Sequence, residues 1–389
     1  MPALSDFLPA LPWVALPMIG AWQARRQRSL DDVVPLPAGH PRTSIIIPAR
    51  NEAHNIGRCV RTVLATEYPD LEVIVVDDHS TDETAVRARE AADGDSRLRV
   101  IMNDALPDGW FGKQWACTTG ARHATGELLL FADADTAHAP DLLPRLVAAQ
   151  QAMDADLLSV AGRQELGSFW ERLVQPQIFS LFFLRFGGTE GVNNARRPSD
   201  VIANGQCLMV RRSAYDAIGG HAAVRHTVVD DLMLAQVMHA AGHRVRLVLG
   251  TQQLSTRMYT SLKELVAGWG KNVYAGGIDA MPFGALGRVL FPLLFLGTPL
   301  LVIAPLVVLV LGLLGSALGS LVPAAALATG AQLVWMVAVY RRMGEPVGYA
   351  LLFPLGAVVL GYIFVTAMLR GRRVAWKGRS YVSGVSRRL

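Results

Sequence analysis

Cysteine is scarce in this chain, and so is charge. Only Cys59, Cys117 and Cys207 occur in 389 residues. They lie far apart, which excludes both the close spacing of a zinc site and a disulfide framework, and an odd count suits a reducing compartment. Small buried apolar side chains are the role left to them. Charged residues make up 18% of the chain against 51% hydrophobic. That balance is too apolar for an ordinary soluble domain and directs attention to membrane spans. Internal repeats and low-complexity tails are absent. The first apolar run, Phe7 to Trp22, has no basic residue before it, so it lacks the charged start of a secretory signal peptide.

The residues that are present are unevenly spread. The net charge of +5 gathers at Arg25, Arg26 and Arg28, and again at Arg370, Arg372, Arg373, Lys377, Arg379, Arg387 and Arg388. These clusters flank apolar segments, where positive charge sets orientation and meets anionic lipid, so a membrane and not nucleic acid is the expected partner. The expected organisation is an N-terminal membrane anchor at 1–24, a Pro-rich linker at 25–41, a soluble domain at 42–280, two to three transmembrane helices at 281–370 and a basic tail at 371–389. Phe7–Trp22 is broken by Pro9, Pro12 and Pro17, so it is either a tilted span or a shallow anchor. The arginines after it place the soluble domain on the cytoplasmic side of a bacterial inner membrane. Gly315 to Ser320 reads as a turn between two spans. Three spans would carry the basic tail outside, against the positive-inside rule, unless one run is re-entrant; Pro354 and Gly356 mark one candidate.

Within the soluble segment, Thr43–Ile47, Leu71–Val76, Leu98–Ile101 and Glu127–Phe131 read as short buried strands. Helices are expected at Asn55–Ala65, Thr84–Ala92 and Trp115–Ala124. Strand and helix alternate at βαβ spacing, which predicts an α/β fold with a Rossmann-like, mostly parallel sheet and ligands at the carboxyl ends of the strands. Phe169 to Phe186 is aromatic-rich and is either a core helix or a membrane-interface helix.

The polar clusters fall at those strand ends. Pro48-Ala49-Arg50-Asn51-Glu52 follows the first strand, Asp77-Asp78-His79-Ser80-Thr81-Asp82 the second and Asp133-Ala134-Asp135 the fourth. An acidic rim repels a diphosphate directly but binds it through a hard divalent cation, Mg²⁺ or Mn²⁺. Gly109-Trp110-Phe111-Gly112-Lys113 stands ahead of a helix, where glycine permits close approach and lysine can meet phosphate. Asp230-Asp231 precedes an amphipathic helix, either as an N-terminal cap or as a general base for an acceptor hydroxyl.

In this order the motifs resemble the family 2 glycosyltransferases of the GT-A fold, over about Arg42 to Gly277. Gly109–Ala116, Asn204-Gly205-Gln206-Cys207, Arg257-Met258-Tyr259 and Trp376-Lys377-Gly378-Arg379 make the chain most similar to membrane carotenoid glycosyltransferases, and next to hopanoid-associated ones. The resemblance implies that Glu52 and Asp78 contact the nucleotide base and ribose, with Pro48 and Ala49 shaping that wall. It implies that Asp133 supports the ribose or metal region, Asp135 ligates the metal and Lys113 lies near the donor. Asp231 matches the catalytic base, with Asp230 its neighbour, which implies inversion. Processive synthases of the family carry Gln-x-x-Arg-Trp; here Val266–Lys271 keeps the tryptophan, Trp269, without the glutamine and arginine, which favours single transfer. The expectation is therefore transfer from a nucleotide-sugar, a UDP-linked hexose, to a lipid such as a carotenoid or other isoprenoid. The alternatives are a polyprenyl-phosphate or polysaccharide sugar transferase and, outside catalysis, a membrane scaffold with a degenerate transferase domain.

Overall fold

The computed structural model describes residues 3–35, 40–279, 281, 284–371 and 373–382. Residues 36–39 of the expected linker, and Arg372, Arg387 and Arg388 of the basic tail, lie outside the described residues. Twelve strands are described: β1 Thr43–Ala49, β2 Leu71–Asp77, β3 Leu98–Met102, β4 Leu128–Ala132, β5 Thr136–His138, β6 Leu157–Ala161, β7 Arg163–Gln164, β8 Cys207–Arg211, β9 Val245–Leu249, β10 Leu254–Thr256, β11 Arg373–Trp376 and β12 Arg379–Val382. The α-helices are α1 Leu11–Ala24, α2 Ile56–Leu64, α3 Thr84–Ala92, α4 Gly112–His123, α5 Leu142–Ala152, α6 Phe169–Phe186, α7 Gly188–Asn193, α8 Arg212–Ala217, α9 Asp230–Ala240, α10 Leu262–Asp279, α11 Gly284–Leu313, α12 Val322–Met343 and α13 Phe353–Arg370. The chain forms two compact units. One is α/β and comprises 27–165, 189–258 and 372–389; the other is helical and comprises 1–26, 166–188 and 259–371.

The α/β unit is built on a seven-stranded sheet in the order β3-β2-β1-β4-β8-β6-β9. Ile45, Ile46 and Ile47 are buried in succession, and all seven residues of β2 are buried, as strands covered on both faces must be. The β1–β2 and β1–β4 pairings are parallel, with Ala49 opposite Asp77 and Ile46 opposite Phe131, so all three strands leave the sheet at one edge. Only β8 runs antiparallel, between β4 and β6. In α2 the buried residues Ile56, Cys59, Val60, Val63 and Leu64 follow the three-and-four spacing of a stripe that seals one face of a sheet.

Two boundaries differ from the sequence reading. The first part of the expected linker is structured: Ser29 caps a 3-10 turn over Leu30–Asp32, the Arg28 carbonyl accepts from Leu249 N at 2.8 Å, and Leu30 is 0% exposed in the α/β core. A single leucine among polar residues shows no periodicity, so its burial is a tertiary fact. Helix α4 begins at Gly112, not Trp115. Glycine is a poor helix former, yet it is required here, because a Cβ at Gly112 would lie 2.5 Å from Asp78 Oδ2.

In the helical unit, α6 starts with a capping box between Ser168 and Glu171. It packs on its helical neighbours: Trp335 donates to Ser180 Oγ at 2.7 Å, Tyr340 OH to the Arg172 carbonyl at 2.6 Å and Gln177 to the Phe353 carbonyl at 3.0 Å. The aromatic stretch is therefore a packing helix of this unit. Trp269 sits inside α10, buried among Phe179, Phe182 and Tyr259. Near the N-terminus, Ala10 packs with Ala324 and Ala328, and Trp13 donates to the Leu301 carbonyl at 2.9 Å. Among the described residues, four segments are long and apolar enough to cross a membrane: Leu4–Ala24, Gly284–Leu313, Gly319–Met343 and Val347–Arg370. The turn expected at Gly315–Ser320 falls between α11 and α12.

Replacing Leu30 by alanine is expected to lower the unfolding free energy of the α/β unit by about 2–5 kcal/mol, the cost of a core cavity. Denaturant unfolding measures it; a loss under about 0.5 kcal/mol, the scale of an innocuous surface change, would show that Gln27–Val33 is mere tether.

Candidate active site

The three parallel strands deliver their acidic loops to one edge of the sheet, and the loops after β1 and β2 are tied to each other. Asn51 N donates to Ser80 Oγ at 3.0 Å, Thr81 N to Asn51 Oδ1 at 2.8 Å, Glu52 N to Thr84 Oγ1 at 2.8 Å and Ala53 N to Asp82 Oδ2 at 3.1 Å. Much of the Asp-Asp-His-Ser-Thr-Asp motif is thus spacing hardware. Although burial opposes it, the Asp82 carboxyl is held below its ordinary pKa by hydrogen bonds donated by the Thr84 hydroxyl and by the backbone N–H groups of Ala53 and Thr84.

A cleft next to the end of β4 is lined by Pro48, Lys113, Asp133, Gly205, Asp230 and Asp231, with His221 and Cys117 behind them. Lys113, in the first turn of α4, places Nζ 2.7 Å from Asp133 Oδ1 and 3.7 Å from Asp230 Oδ2. Burial works against its ammonium, but Asp133, Asp230 and Asp231 together outweigh that and hold its pKa well above the lysine norm. His221, its Nδ1 2.8 Å from the Tyr215 hydroxyl, is pushed down to about 3 by burial and by the Lys113 cation, so it is a neutral wall.

Asp231 is neither an exposed turn residue nor the helix cap. It lies in the first turn of α9, where Oδ2 accepts from Gly205 N at 2.8 Å and Oδ1 from Leu232 N at 2.8 Å. Burial, then the neighbouring Asp230, raise its carboxyl to about 6. A residue with a side chain at 205 would place its Cβ 3.0 Å from Asp231 Oδ2, so glycine is what lets the backbone reach the carboxylate.

At the adjoining strand ends, Asp78 is 1% exposed and bonded by Asn103 Nδ2 at 3.1 Å, and Glu52 accepts from Asn55 at 3.0 Å. Ala49 is buried beside them, its carbonyl accepting from Asp78 N at 2.8 Å. Two cations missing from the expected set complete the mouth: Lys377 lies 2.9 Å from Glu52, and Arg379 forms an ion pair with Asp78. They belong to the late Trp-Lys-Gly-Arg segment, whose sequence offered a resemblance but no role.

Asp135 bears on the divalent cation. Its Oδ1 is buried with no hydrogen-bond partner among the described residues, and burial, then Asp133 and Glu52, push its carboxyl up to about 7. A buried, unpartnered carboxylate beside a second one is what a hard cation would satisfy. No group of three or more His, Cys, Asp or Glu side chains among the described residues forms a cage. Mg²⁺ commonly binds through one or two carboxylates and completes its shell with phosphate oxygens and water, so Asp133 and Asp135 fit such an ion.

This sheet, with its acidic edge and one reversed strand, is the GT-A fold of nucleotide-sugar glycosyltransferases. A mannosyltransferase from Pyrobaculum calidifontis, solved in complex with GDP-Man and Mn²⁺, superposes with a TM-score of 0.52 over 94% of this chain and 98% of its own, at 19% identity, a likeness of fold. Residues 44–219 match the model of glycosyl transferase family 2. A 4,4'-diaponeurosporenoate glycosyltransferase from Staphylococcus aureus strain MRSA252 is 30% identical over 251 residues, 62% of this chain and 64% of that protein. Its counterpart from strain USA300 is 30% identical over 250 residues with the same coverage. The match thus spans slightly under two thirds of these curated relatives.

The raised Asp135 carboxyl has a measurable consequence. Its folded pKa lies above its unfolded value, so its contribution to stability is greatest in acid and is lost as pH rises through about 7. At pH 8 without metal, Asp135→Asn should melt at a higher temperature than the unmodified protein, with the gap narrowing toward pH 5. Adding Mn²⁺ should raise the melting temperature of the unmodified chain and not of the variant. Equal Mn²⁺ stabilisation of both would remove Asp135 from the metal site.

Proposed function

We propose that this protein is an inverting hexosyltransferase that moves one sugar from a nucleotide-sugar, a UDP-linked hexose, to a membrane lipid of the carotenoid or isoprenoid class. The observation that carries the reading is Asp231, aimed by two backbone N–H groups into the cleft that Lys113 shares with Asp133 and Asp230. A half-buried carboxylate raised to about 6 can take a proton near neutral pH better than an ordinary aspartate. In the reaction, Asp231 accepts the acceptor hydroxyl proton as that oxygen bonds the anomeric carbon from the side opposite the diphosphate. The anomeric C–O bond breaks and leaves its electron pair on the diphosphate. Lys113 is near enough to exchange a carboxylate for the departing phosphate oxygens. A divalent cation held by Asp135 and Asp133 would offset the remaining charge there. Glu52 and Asp78 accept hydrogen bonds from base and ribose against the wall of Pro48 and Ala49.

The lipid acceptor is supported by the carotenoid acid in the relatives' name and by the apolar helices of the chain. Single transfer is supported by the lack of the glutamine and arginine of the processive motif around Trp269. A carboxylate acceptor arrives already deprotonated, whereas a hydroxyl needs a base; the oriented Asp231 favours the hydroxyl. With a hydroxyl lipid and a labelled UDP-hexose, Asp231→Asn should lower turnover by about 10²–10⁴-fold while nucleotide binding survives. The unmodified enzyme should lose kcat/KM as pH falls through about 6, because protonated Asp231 cannot act as base. Undiminished turnover in the variant would refute the base assignment.

The α/β unit is proposed to be cytoplasmic. The chain leaves this unit at Met258 and re-enters it at Arg372, so the number of membrane crossings between must be even. Among α11, α12 and α13, the loop joining the first two is uncharged, α12 ends in Arg341 and Arg342, and α13 ends in Arg370. Basic residues at both ends of α13 make it the non-crossing segment, with α11 and α12 as a transmembrane hairpin. Its buried residues Phe353, Gly356, Ala357, Leu360, Ile363, Phe364 and Ala367 form one stripe, and Leu355, Val358 and Tyr362 are exposed on another side. Cys59, Cys117 and Cys207 are buried, so an impermeant maleimide can read added thiols in intact cells. Gly319→Cys should label from outside and Gly348→Cys should not; labelling of both, or the reverse pattern, would overturn this topology.

A further inference from the structure

The C-terminal hairpin β11–β12 turns on two residues, Lys377 and Gly378, both at positive φ, 46° and 81°. Left-handed backbone at a non-glycine residue costs energy and persists where surroundings enforce it. Asn51 and His79, in the two acidic loops, share this conformation at φ 52° and 55°, so three of the five such non-glycine residues described meet at one mouth. The hairpin is fastened there. Lys377 Nζ reaches Glu52 Oε1 at 2.9 Å and donates to the Asn51 carbonyl at 3.0 Å; Arg379 pairs with the buried Asp78. Arg50 donates to the carbonyls of Lys377 and His79 at 3.1 and 2.9 Å, and to that of Asp78, which joins hairpin and loops. The Tyr381 ring stacks on Phe111 with centroids 4.3 Å apart. Gly112 leaves room for the guanidinium, since a Cβ there would lie 2.6 Å from Arg379 Nη1.

Charge gives these contacts a purpose. Glu52, Asp78, Asp133, Asp135, Asp230 and Asp231 bring six carboxylates to one edge. Lys113 alone, even with a divalent cation, would leave that edge negative and repel the dianionic diphosphate of a nucleotide-sugar. Lys377 and Arg379 bring it close to balance. Yet they now fill carboxylate oxygens assigned above to base and ribose, so donor and cations must exchange partners. We propose that Lys377 and Arg379 are donor-binding residues: when the nucleoside's N–H and O–H groups take Glu52 and Asp78, the two cations pass to the diphosphate oxygens, so that each carboxylate keeps a hydrogen-bond donor and the diphosphate gains two cations. This rests on the donor reading given above.

The test compares UDP with uridine and GDP with guanosine, each with Mn²⁺, binding to the full chain in detergent. Lys377→Gln and Arg379→Gln should each weaken the better-bound diphosphate by about tenfold or more, the scale of a lost charge-assisted hydrogen bond, while its nucleoside binds as well as before or better. Equal losses for diphosphate and nucleoside would make the hairpin merely structural, and tighter diphosphate binding would make it a plug; either overturns the proposal. Should a variant fail to fold, salt decides with the unmodified chain: binding of the diphosphate should fall steeply with ionic strength and that of the nucleoside should not, and equal salt dependence overturns it. If the unmodified chain binds none of the four ligands, the donor reading itself fails, an outcome distinct from normal binding that the hairpin variants leave untouched.

Discussion

Like charges crowded at one sheet edge are the constraint around which the α/β unit is arranged. Parallel pairing of β1 with β2 and β4 brings three acidic loops out together, and the fold must keep those carboxylates near one another without suffering their full repulsion. It does so with cations and N–H groups from elsewhere in the chain. Lys113 bridges Asp133 and Asp230, Lys377 and Arg379 hold Glu52 and Asp78, and two backbone amides hold Asp231. Asp135 alone keeps a buried oxygen without a partner among the described residues. That pattern marks where an external cation fits, and it separates acids that build the loops, such as Asp82, from acids left to meet a ligand.

Glycine serves this arrangement at two points. At Gly205 it lets an amide reach Asp231, and at Gly112 it lets the start of α4 come against Asp78 and Arg379. Both cost helix or loop stability in isolation, and both place a charge partner where a β-carbon would stand. The polar density of the first two loops has a similar logic: side chains of Asn51, Ser80, Asp82 and Thr84 bond across the gap, so the loops are rigid before any ligand arrives.

In the proposed reaction a carotenoid-type acceptor and a charged donor belong to different solvents, and the chain carries an element suited to each: a polar α/β unit and a set of apolar helices. Return of the chain from the helices to the α/β unit imposes an even crossing number, which the three apolar runs of the C-terminal third do not satisfy if all cross. In the proposed topology, the arginines at both ends of α13 make it the non-crossing segment.

The alternating pattern of apolar strands and helices, the acidic motifs and their order were legible from residue type and spacing, because buried parallel strands need continuous apolar runs and strand ends need polar turns. So was the apolar C-terminal third. Local pattern did not show Leu30 as core, α4 starting at a glycine, or α6 packing with the helical unit, since each depends on what a distant segment offers. Least visible of all were Lys377 and Arg379, some three hundred residues from the carboxylates they meet. Coulomb attraction acts across space and not along the chain. Residue order alone therefore set which strands and acidic loops would form, and which charge answers which was settled only in the folded molecule.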